Sequence, residues 1–137
     1  MGEEYRESVV LVAYSEIALK SEPVRRRLER MLIDDIRFMV ERAASHRPSV
    51  SQSRGRILVK GVDPEAAAMT CSVVFGVVKS MPAVEVAPDL GSIVEGSTQV
   101  AERVLEPGDS FAVRASRVGS HPYTSQDVER QVGSEIL

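Results

Sequence analysis

The chain has 137 residues, a formal net charge of −3, one cysteine and no tryptophan. This length suits one ordinary domain or two small ones. A single cysteine excludes an internal disulfide framework, and no apolar run is long enough to span a bilayer. Because the N-terminus is acidic and polar, unlike a signal peptide, we expect a cytoplasmic protein with no membrane partner.

The first part of the chain alternates between strand and helix patterns. The apolar run from Val9 to Ala13 predicts a buried strand, and helical spacing after Pro23 predicts a long helix. A hairpin around Gly55, a helix that begins at Asp63-Pro64 and a strand over residues 77–86 are predicted next. The order β-α-β-β-α-β indicates the ferredoxin-like arrangement.

The Pro88-Asp89 pair marks a boundary between two regions of the chain. We therefore expect a ferredoxin-like domain over residues 1–86 and a second, smaller domain over residues 87–137. The fold class that follows is α+β, in which a ferredoxin-like β-α-β-β-α-β unit precedes a partial α/β domain.

The second region is predicted to contain a helix, a strand and a helix. Asp89 is placed to cap the first helix, Ser110 to Ser116 predicts a strand, and Thr124 or Ser125 caps the last helix. That helix reaches Leu137 without a stop signal, so we expect either an N-terminal fragment or a partner that supplies a missing half. No later residues cover its apolar stripe, which comprises Val128, Val132, Ile136 and Leu137.

The segment from Phe111 to Ser125 carries the clearest chemical signal. It combines arginine, histidine, tyrosine and hydroxyl side chains, and it contains no acid. Guanidinium groups beside the N–H groups of a helix N-terminus suit phosphate binding. A second acid-free stretch from Arg42 to Lys60 includes Arg54 and Arg56. Because binding follows local fields rather than net charge, these stretches suit a nucleic-acid partner, and the alternative is that they form solvated surface faces.

Residue patterns typical of catalysis and metal binding are absent from the sequence. No phosphate-binding glycine loop occurs, and His46 and His121 have no helical pairing with a carboxylate or with each other. Cys71 falls on an apolar helix face, which favours a buried, inert thiol over a nucleophile. We therefore expect a binding module with no catalytic residue, no metal and no cofactor of its own.

Motifs along the chain resemble one enzyme family. Residues 14–20 (Tyr-Ser-Glu-Ile-Ala-Leu-Lys) resemble the Tyr-Gly-Glu-Ile-Ala-Leu-Lys signature of tRNA 4-thiouridine synthetases, the ThiI-type tRNA sulfurtransferases. Residues 75–78 (Phe-Gly-Val-Val) and Pro82 are similar to the end of that family's N-terminal ferredoxin-like domain. Residues 111–117 and 122–125 are similar to its THUMP domain, an RNA-binding module.

The resemblance implies the tRNA-binding N-terminal region of an enzyme that makes 4-thiouridine near position eight of tRNA, in a family also linked to thiamine thiazole synthesis. The family's pyrophosphatase domain, whose Ser-Gly-Gly-x-Asp-Ser loop would bind ATP, has no counterpart here, so the chain is expected to be inactive alone. The implied partners are tRNA at its acceptor end and a sulfur-carrier protein for the full-length enzyme. A homodimer is a further expectation, based on the apolar face of the last helix. The alternative is a THUMP-containing RNA-binding or protein-assembly module of another tRNA-modifying enzyme.

The candidate RNA-binding residues are basic, aromatic or hydroxyl-bearing, and they comprise Lys20, Arg54, Arg56, Arg114, Arg117, His121, Tyr123 and Ser125. With the resemblance, Arg114 and Arg117 are expected to clamp tRNA phosphates. The alternative for both arginines is surface ion pairing with Asp127 and Glu129. Tyr123 either stacks on an unpaired base or packs as a core tyrosine.

Overall fold

The computed structural model of the protein describes residues 8–14, 21–53, 55–116 and 119–137. The chain divides into two compact units, which are called unit 1 (Met1–Glu85) and unit 2 (Val86–Leu137) below. Within the described residues, no helix is both long enough and apolar enough to cross a membrane.

Unit 1 has the predicted order of strands and helices. Its elements are β1 (Ser8–Tyr14), α1 (Glu22–Ala44), β2 (Ser49–Ser53), β3 (Arg56–Lys60), α2 (Pro64–Ser72) and β4 (Val77–Val84). The strands form one antiparallel sheet in the order β2-β3-β1-β4, so β1 pairs with both β3 and β4. The ferredoxin-like prediction is confirmed, although the last strand ends at Val84 rather than at residue 86.

Local backbone preferences start and stop these elements. Pro23 lies in the first turn of α1, where a missing N–H removes no intrahelical hydrogen bond. The helix ends at Ser45, whose φ of 54° is in the left-handed region. The hairpin between β2 and β3 turns at Gly55, whose φ of 79° is one that glycine adopts without steric cost. Proline and glycine therefore set boundaries that the sequence pattern located correctly.

The core of unit 1 lies between the sheet and its two helices. Its buried side chains come from β1, β3, α1, α2 and the adjoining turns: Val10, Val12, Leu32, Ile36, Val40, Ile57, Val59, Val62, Ala67, Ala68, Cys71 and Val74. Leu32, Ile36 and Val40 recur every four residues, which gives α1 one buried face. Cys71 is 0% exposed, and burial raises the pKa of its thiol to about 11. The prediction of a buried thiol is confirmed.

The described residues of unit 2 form two helices, α3 (Leu90–Val104) and α4 (Ser125–Ile136), which pack against each other. The predicted strand over Ser110 to Ser116 is wrong, because residues 109–116, called the arginine segment below, pair with no strand. A strand needs a neighbour for its N–H and C=O groups. The described residues of unit 2 contain no strand with which this segment could pair.

The apolar stripe of α4 is covered in part within the chain. Val132 is 3% exposed, and Val128 and Ile136 are half-buried, because α3 packs against α4. Leu137, which follows the helix, is 96% exposed. The earlier helix α3 therefore provides part of the cover that was expected from a partner or a missing half, and the partner itself stays a prediction.

Side-chain caps begin both helices of unit 2. The Asp89 carboxylate accepts a hydrogen bond from the Ser92 N–H at 2.8 Å. Thr124 and Asp127 form a reciprocal capping box, in which each side chain accepts from the other residue's N–H, at 3.0 and 2.9 Å. The predicted cap at Asp89 is confirmed, and Thr124 rather than Ser125 caps α4.

Candidate nucleic-acid interface

A cavity of about 320 Å³ lies in unit 2, where α3, the arginine segment and the N-terminal part of α4 meet. Its lining residues are Ile93, Ser97, Val113, Arg114, Ala115, Ser116, His121, Tyr123, Thr124, Ser125, Val128 and Val132. Apolar side chains from both helices share this lining with one guanidinium, two aromatic rings and several hydroxyl groups. Apolar walls with a few convergent polar groups are usual for ligand sites.

The cavity brings together half of the predicted RNA-binding residues. Four of the eight line it, namely Arg114, His121, Tyr123 and Ser125. Three others lie outside the described residues, namely Lys20, Arg54 and Arg117. The gathered four come from a loop, a turn and a helix start, so they form one site only through the fold of unit 2.

The eighth predicted residue, Arg56, begins β3 in unit 1 and is exposed. Its guanidinium donates to the carbonyl of the preceding residue at 3.4 Å. Other cations of the same acid-free stretch have partners, since Lys60 pairs with Glu85 at 2.7 Å and the Arg42 guanidinium lies 5.7 Å from the centroid of the Phe38 ring. Some cations of this stretch therefore interact with side chains of unit 1 itself.

Tyr14, the described residue of the signature segment, has a structural role. Its hydroxyl donates to the Glu29 carboxylate at 2.6 Å and accepts from the Gln52 side-chain amide at 2.8 Å. Burial, followed by the hydrogen bond to Glu29, raises the pKa of Tyr14. This network ties the end of β1 to α1 and β2, while residues 15–20 lie outside the described residues.

Arg114 is exposed at the cavity and forms no ion pair within the described part of the chain. The two acids of the predicted alternative are engaged elsewhere. Asp127 accepts from Arg130 at 3.0 Å, and Glu129 accepts from the Ala115 N–H at 3.0 Å. The Arg114 guanidinium therefore keeps its donors for a ligand, and anions with planar or tetrahedral oxygens suit it best.

His121 and Tyr123 present paired aromatic rings at the cavity. Their ring centroids are 5.3 Å apart, with an angle of 11° between the planes, so the rings are stacked. Both side chains are half-buried, and the Tyr123 hydroxyl donates to the Pro88 carbonyl at 3.4 Å. A half-buried stack at a cavity leaves part of its aromatic surface accessible to a ligand.

The N-terminus of α4 reaches the cavity at Thr124 and Ser125. The capping box uses the N–H groups of Thr124 and Asp127, and the hydrogen bond from the Thr124 backbone is the main cause that lowers the pKa of Asp127. In the described part of the chain, the N–H groups of Ser125 and Gln126 have no acceptor. Two donors at the positive end of the helix dipole thus remain for an anion.

Ile93 and Ser97 were missed by sequence reasoning. Both lie on α3, four residues apart and therefore on one helix face, and both line the cavity. Their four-residue spacing in the sequence indicated a shared face of α3, but it did not indicate that this face lines a cavity. Across the ranges that the structure describes, no group of three or more His, Cys, Asp or Glu side chains could hold a metal ion.

The fold defines the class of this protein, in which a ferredoxin-like unit precedes a helical unit with the cavity. Family models agree with this order. The model of the ThiI ferredoxin-like domain matches residues 9–80, and the model of the THUMP domain matches residues 87–137. The chain belongs to the ThiI ferredoxin-like domain family, with a THUMP match in its second unit, and the resemblance found in the sequence is confirmed.

Relatives of this chain are named as tRNA sulfurtransferases. A probable tRNA sulfurtransferase of Methanosarcina acetivorans is 37% identical over 135 residues, which cover 98% of this chain and 32% of the relative. A probable tRNA sulfurtransferase of Aeropyrum pernix is 40% identical over 135 residues, which cover 95% of this chain and 33% of the relative. The chain therefore spans about a third of the length of these relatives.

Two solved structures share the fold. A Pyrococcus horikoshii protein superposes with a TM-score of 0.81 at 31% identity, over 94% of this chain and 44% of that one. A 4-thiouridine synthetase, crystallised with RNA and bound ATP, superposes with a TM-score of 0.70 at 23% identity, over 96% of this chain and 33% of that one. At that identity the second likeness establishes a common fold.

Proposed function

We propose that this chain is the tRNA-binding N-terminal region of a tRNA sulfurtransferase that makes 4-thiouridine near position eight of tRNA. Family membership, the names of the relatives and the fold shared with a synthetase crystallised with RNA support the proposal. The observation that carries it is the cavity of unit 2, because Arg114, the stacked rings and the start of α4 surround one space.

Each part of the cavity has a role in the proposed complex. The Arg114 guanidinium pairs with a phosphate, and the Ser125 N–H donates to the same phosphate or the next one. The stacked rings of His121 and Tyr123 offer an aromatic surface to an unpaired base. Because such bases occur at the end of tRNA, the acceptor end is the proposed target.

The chemical steps are assigned to other parts of the enzyme. Cys71 is buried, and with a thiol pKa of about 11 it stays protonated near neutral pH, which makes it unsuitable as a sulfur acceptor. In this proposal a pyrophosphatase domain binds ATP, and a sulfur-carrier protein supplies the sulfur. The proposal also includes a homodimer, a cytoplasmic location and a link to thiamine thiazole synthesis. It places a domain boundary near residue 86.

Reversing one charge in the cavity and a matched charge outside it tests the proposal. Arg114→Glu should weaken binding of an unmodified tRNA transcript about tenfold or more, as expected for a lost charge-assisted hydrogen bond. The slope of log affinity against log salt is negative, and its magnitude should decrease by about 0.7–0.9. Arg130→Glu is the control, because Arg130 is an exposed arginine of the same unit that pairs with Asp127 and does not line the cavity.

Thermal melting of both variants separates an effect on binding from an effect on folding, since surface substitutions change stability by only about 0.5 kcal/mol. If Arg114→Glu and Arg130→Glu weaken tRNA binding equally, the cavity is not the RNA site. If the wild-type protein shows no salt-dependent tRNA binding, the proposed function is wrong.

A further inference from the structure

The arginine segment lies against α4 at two described positions. The Ala115 N–H donates to Glu129 Oε2 at 3.0 Å. Val113 lies beside Gly133, where a Cβ atom built on the glycine would be 3.9 Å from Val113 Cγ2. Glu129 and Gly133 are four residues apart and share a face of α4. Because the segment pairs with no strand, these contacts take the place of a sheet ladder.

A carboxylate beside an anion-binding cavity is electrostatically unfavourable for that binding, so its presence calls for another role. Glu129 forms no ion pair within the described ranges, and the adjacent Arg130 pairs with Asp127. It is half-buried, and its carboxylate accepts from the backbone N–H of Ala115. This hydrogen bond fixes the backbone between Arg114 and Ser116, both of which line the cavity.

We infer that Glu129 is a positioning residue for RNA binding, which fixes the backbone of Ala115 and thereby holds Arg114 at the cavity. The inference rests on the proposed function and deepens it. A hydrogen bond to a carboxylate is stronger than one between neutral groups, so a single contact can restrain an otherwise unpaired segment. A segment that is already restrained before binding loses less conformational entropy when the ligand binds.

Two substitutions separate positioning from charge. Glu129→Gln and Glu129→Ala remove the same negative charge, but glutamine keeps an oxygen that accepts from the Ala115 N–H. If Glu129 acts only through its charge, both variants should bind an unmodified tRNA transcript equally, and more tightly than the wild type. If it positions Arg114, Glu129→Ala should bind about three- to tenfold more weakly than Glu129→Gln, which corresponds to one lost hydrogen bond.

The difference between the two variants should depend on Arg114. In an Arg114→Ala background, Glu129→Ala and Glu129→Gln should bind tRNA equally, because the glutamate acts through that guanidinium. A difference that persists in this background would mean that Glu129 acts by another route, and it would overturn the positioning role.

Amide hydrogen exchange at Ala115 gives a readout that needs no RNA. The Ala115 amide should be protected in the wild type and in Glu129→Gln, and it should exchange about tenfold faster in Glu129→Ala. Equal protection in all three proteins would overturn the inference while leaving the proposed function intact. If the amide exchange follows the expected pattern but the wild type does not bind tRNA, the proposed function is wrong. The role of Glu129 in RNA binding is then wrong as well.

Discussion

The two units are held together in different ways. Unit 1 buries a continuous apolar core to which strands and both helices contribute. In the described part of unit 2, the buried side chains are those of Ala101 and Val132. Burial makes unit 1 a stable scaffold, whereas unit 2 keeps most of its side chains where a ligand can reach them. The candidate site lies in the unit with less burial.

Helix caps follow the same division. The N-cap residues of α1 and α2, Ser21 and Asp63, make no side-chain cap hydrogen bond. Those of α3 and α4, Asp89 and Thr124, do. Core packing supplies most of the stability of a helix in a protein, so a well-packed helix tolerates an unused cap. Where burial is limited, local polar contacts contribute a larger share.

Matched isoleucine substitutions in the two units should give the largest effect. Ile36 is 0% exposed in the core of unit 1, so Ile36→Ala should lower the free energy of unfolding by about 2–5 kcal/mol. Ile93 is half-buried at the cavity, so Ile93→Ala should lower it by only about 1–2 kcal/mol. Chemical denaturation measures both values, and equal losses would contradict the contrast between the units.

Cap substitutions should give an intermediate effect, and here the larger loss of stability should occur in unit 2. Thr124→Ala removes the hydroxyl that accepts from the Asp127 N–H and should cost about 1 kcal/mol. Ser21→Ala is the matched control, because the Ser21 side chain makes no cap hydrogen bond, and its cost should stay within about 0.5 kcal/mol. Thermal melts and amide exchange in α4 test this pair. A larger loss from Ser21→Ala would show that unit 1 depends on its caps.

The smallest effect should be an acid sensitivity of the two capped helices. Hydrogen bonds from the backbone N–H groups of Ser92 and Thr124 lower the pKa values of Asp89 and Asp127, respectively. A carboxyl group whose folded pKa is lowered stabilises the fold above its unfolded pKa of about 3.9, and this contribution disappears as the pH falls through the folded pKa. The protection factors of the amides in α3 and α4, which correct for the pH dependence of intrinsic exchange, should therefore fall below about pH 4.

The acid response has its own control. Asp127→Asn removes the titrating group at α4, so the protection factors in that helix should lose part of their acid response while α3 keeps the response of Asp89. If α4 responds to acid identically in the wild type and in Asp127→Asn, the capping carboxylate is not the source of the effect.

The arrangement of unit 1 could be predicted from sequence because its periodicities report burial. The apolar run from Val9 to Ala13 lies in β1, one of the two inner strands, and the four-residue spacing of Leu32, Ile36 and Val40 forms the buried face of α1. Gly55 set the hairpin because its positive φ disfavours other residues. Each of these signals is local, so the sequence contained it in full.

The cavity could be predicted only in part. The acid-free composition around Arg114 indicated anion binding, and His121, Tyr123 and Ser125 were selected with it. The participation of α3 could not be seen, because Ile93 and Ser97 reach the cavity only once α3 packs against α4. The expected strand was wrong for a related reason, since strand propensity does not reveal whether a pairing partner exists.

By itself, the sequence determined the order of elements in unit 1, the family resemblance and the basic segment of unit 2. Tertiary structure alone decided that α3 covers part of the stripe of α4 and that Glu129 accepts from the Ala115 N–H. It also decided that a Cβ atom at Gly96 would lie 2.7 Å from Val86 Cγ1. The physical reason is range. Backbone preference and amphipathic spacing act between near neighbours in the chain, whereas cavities, cover and close approaches arise between residues that only folding brings together.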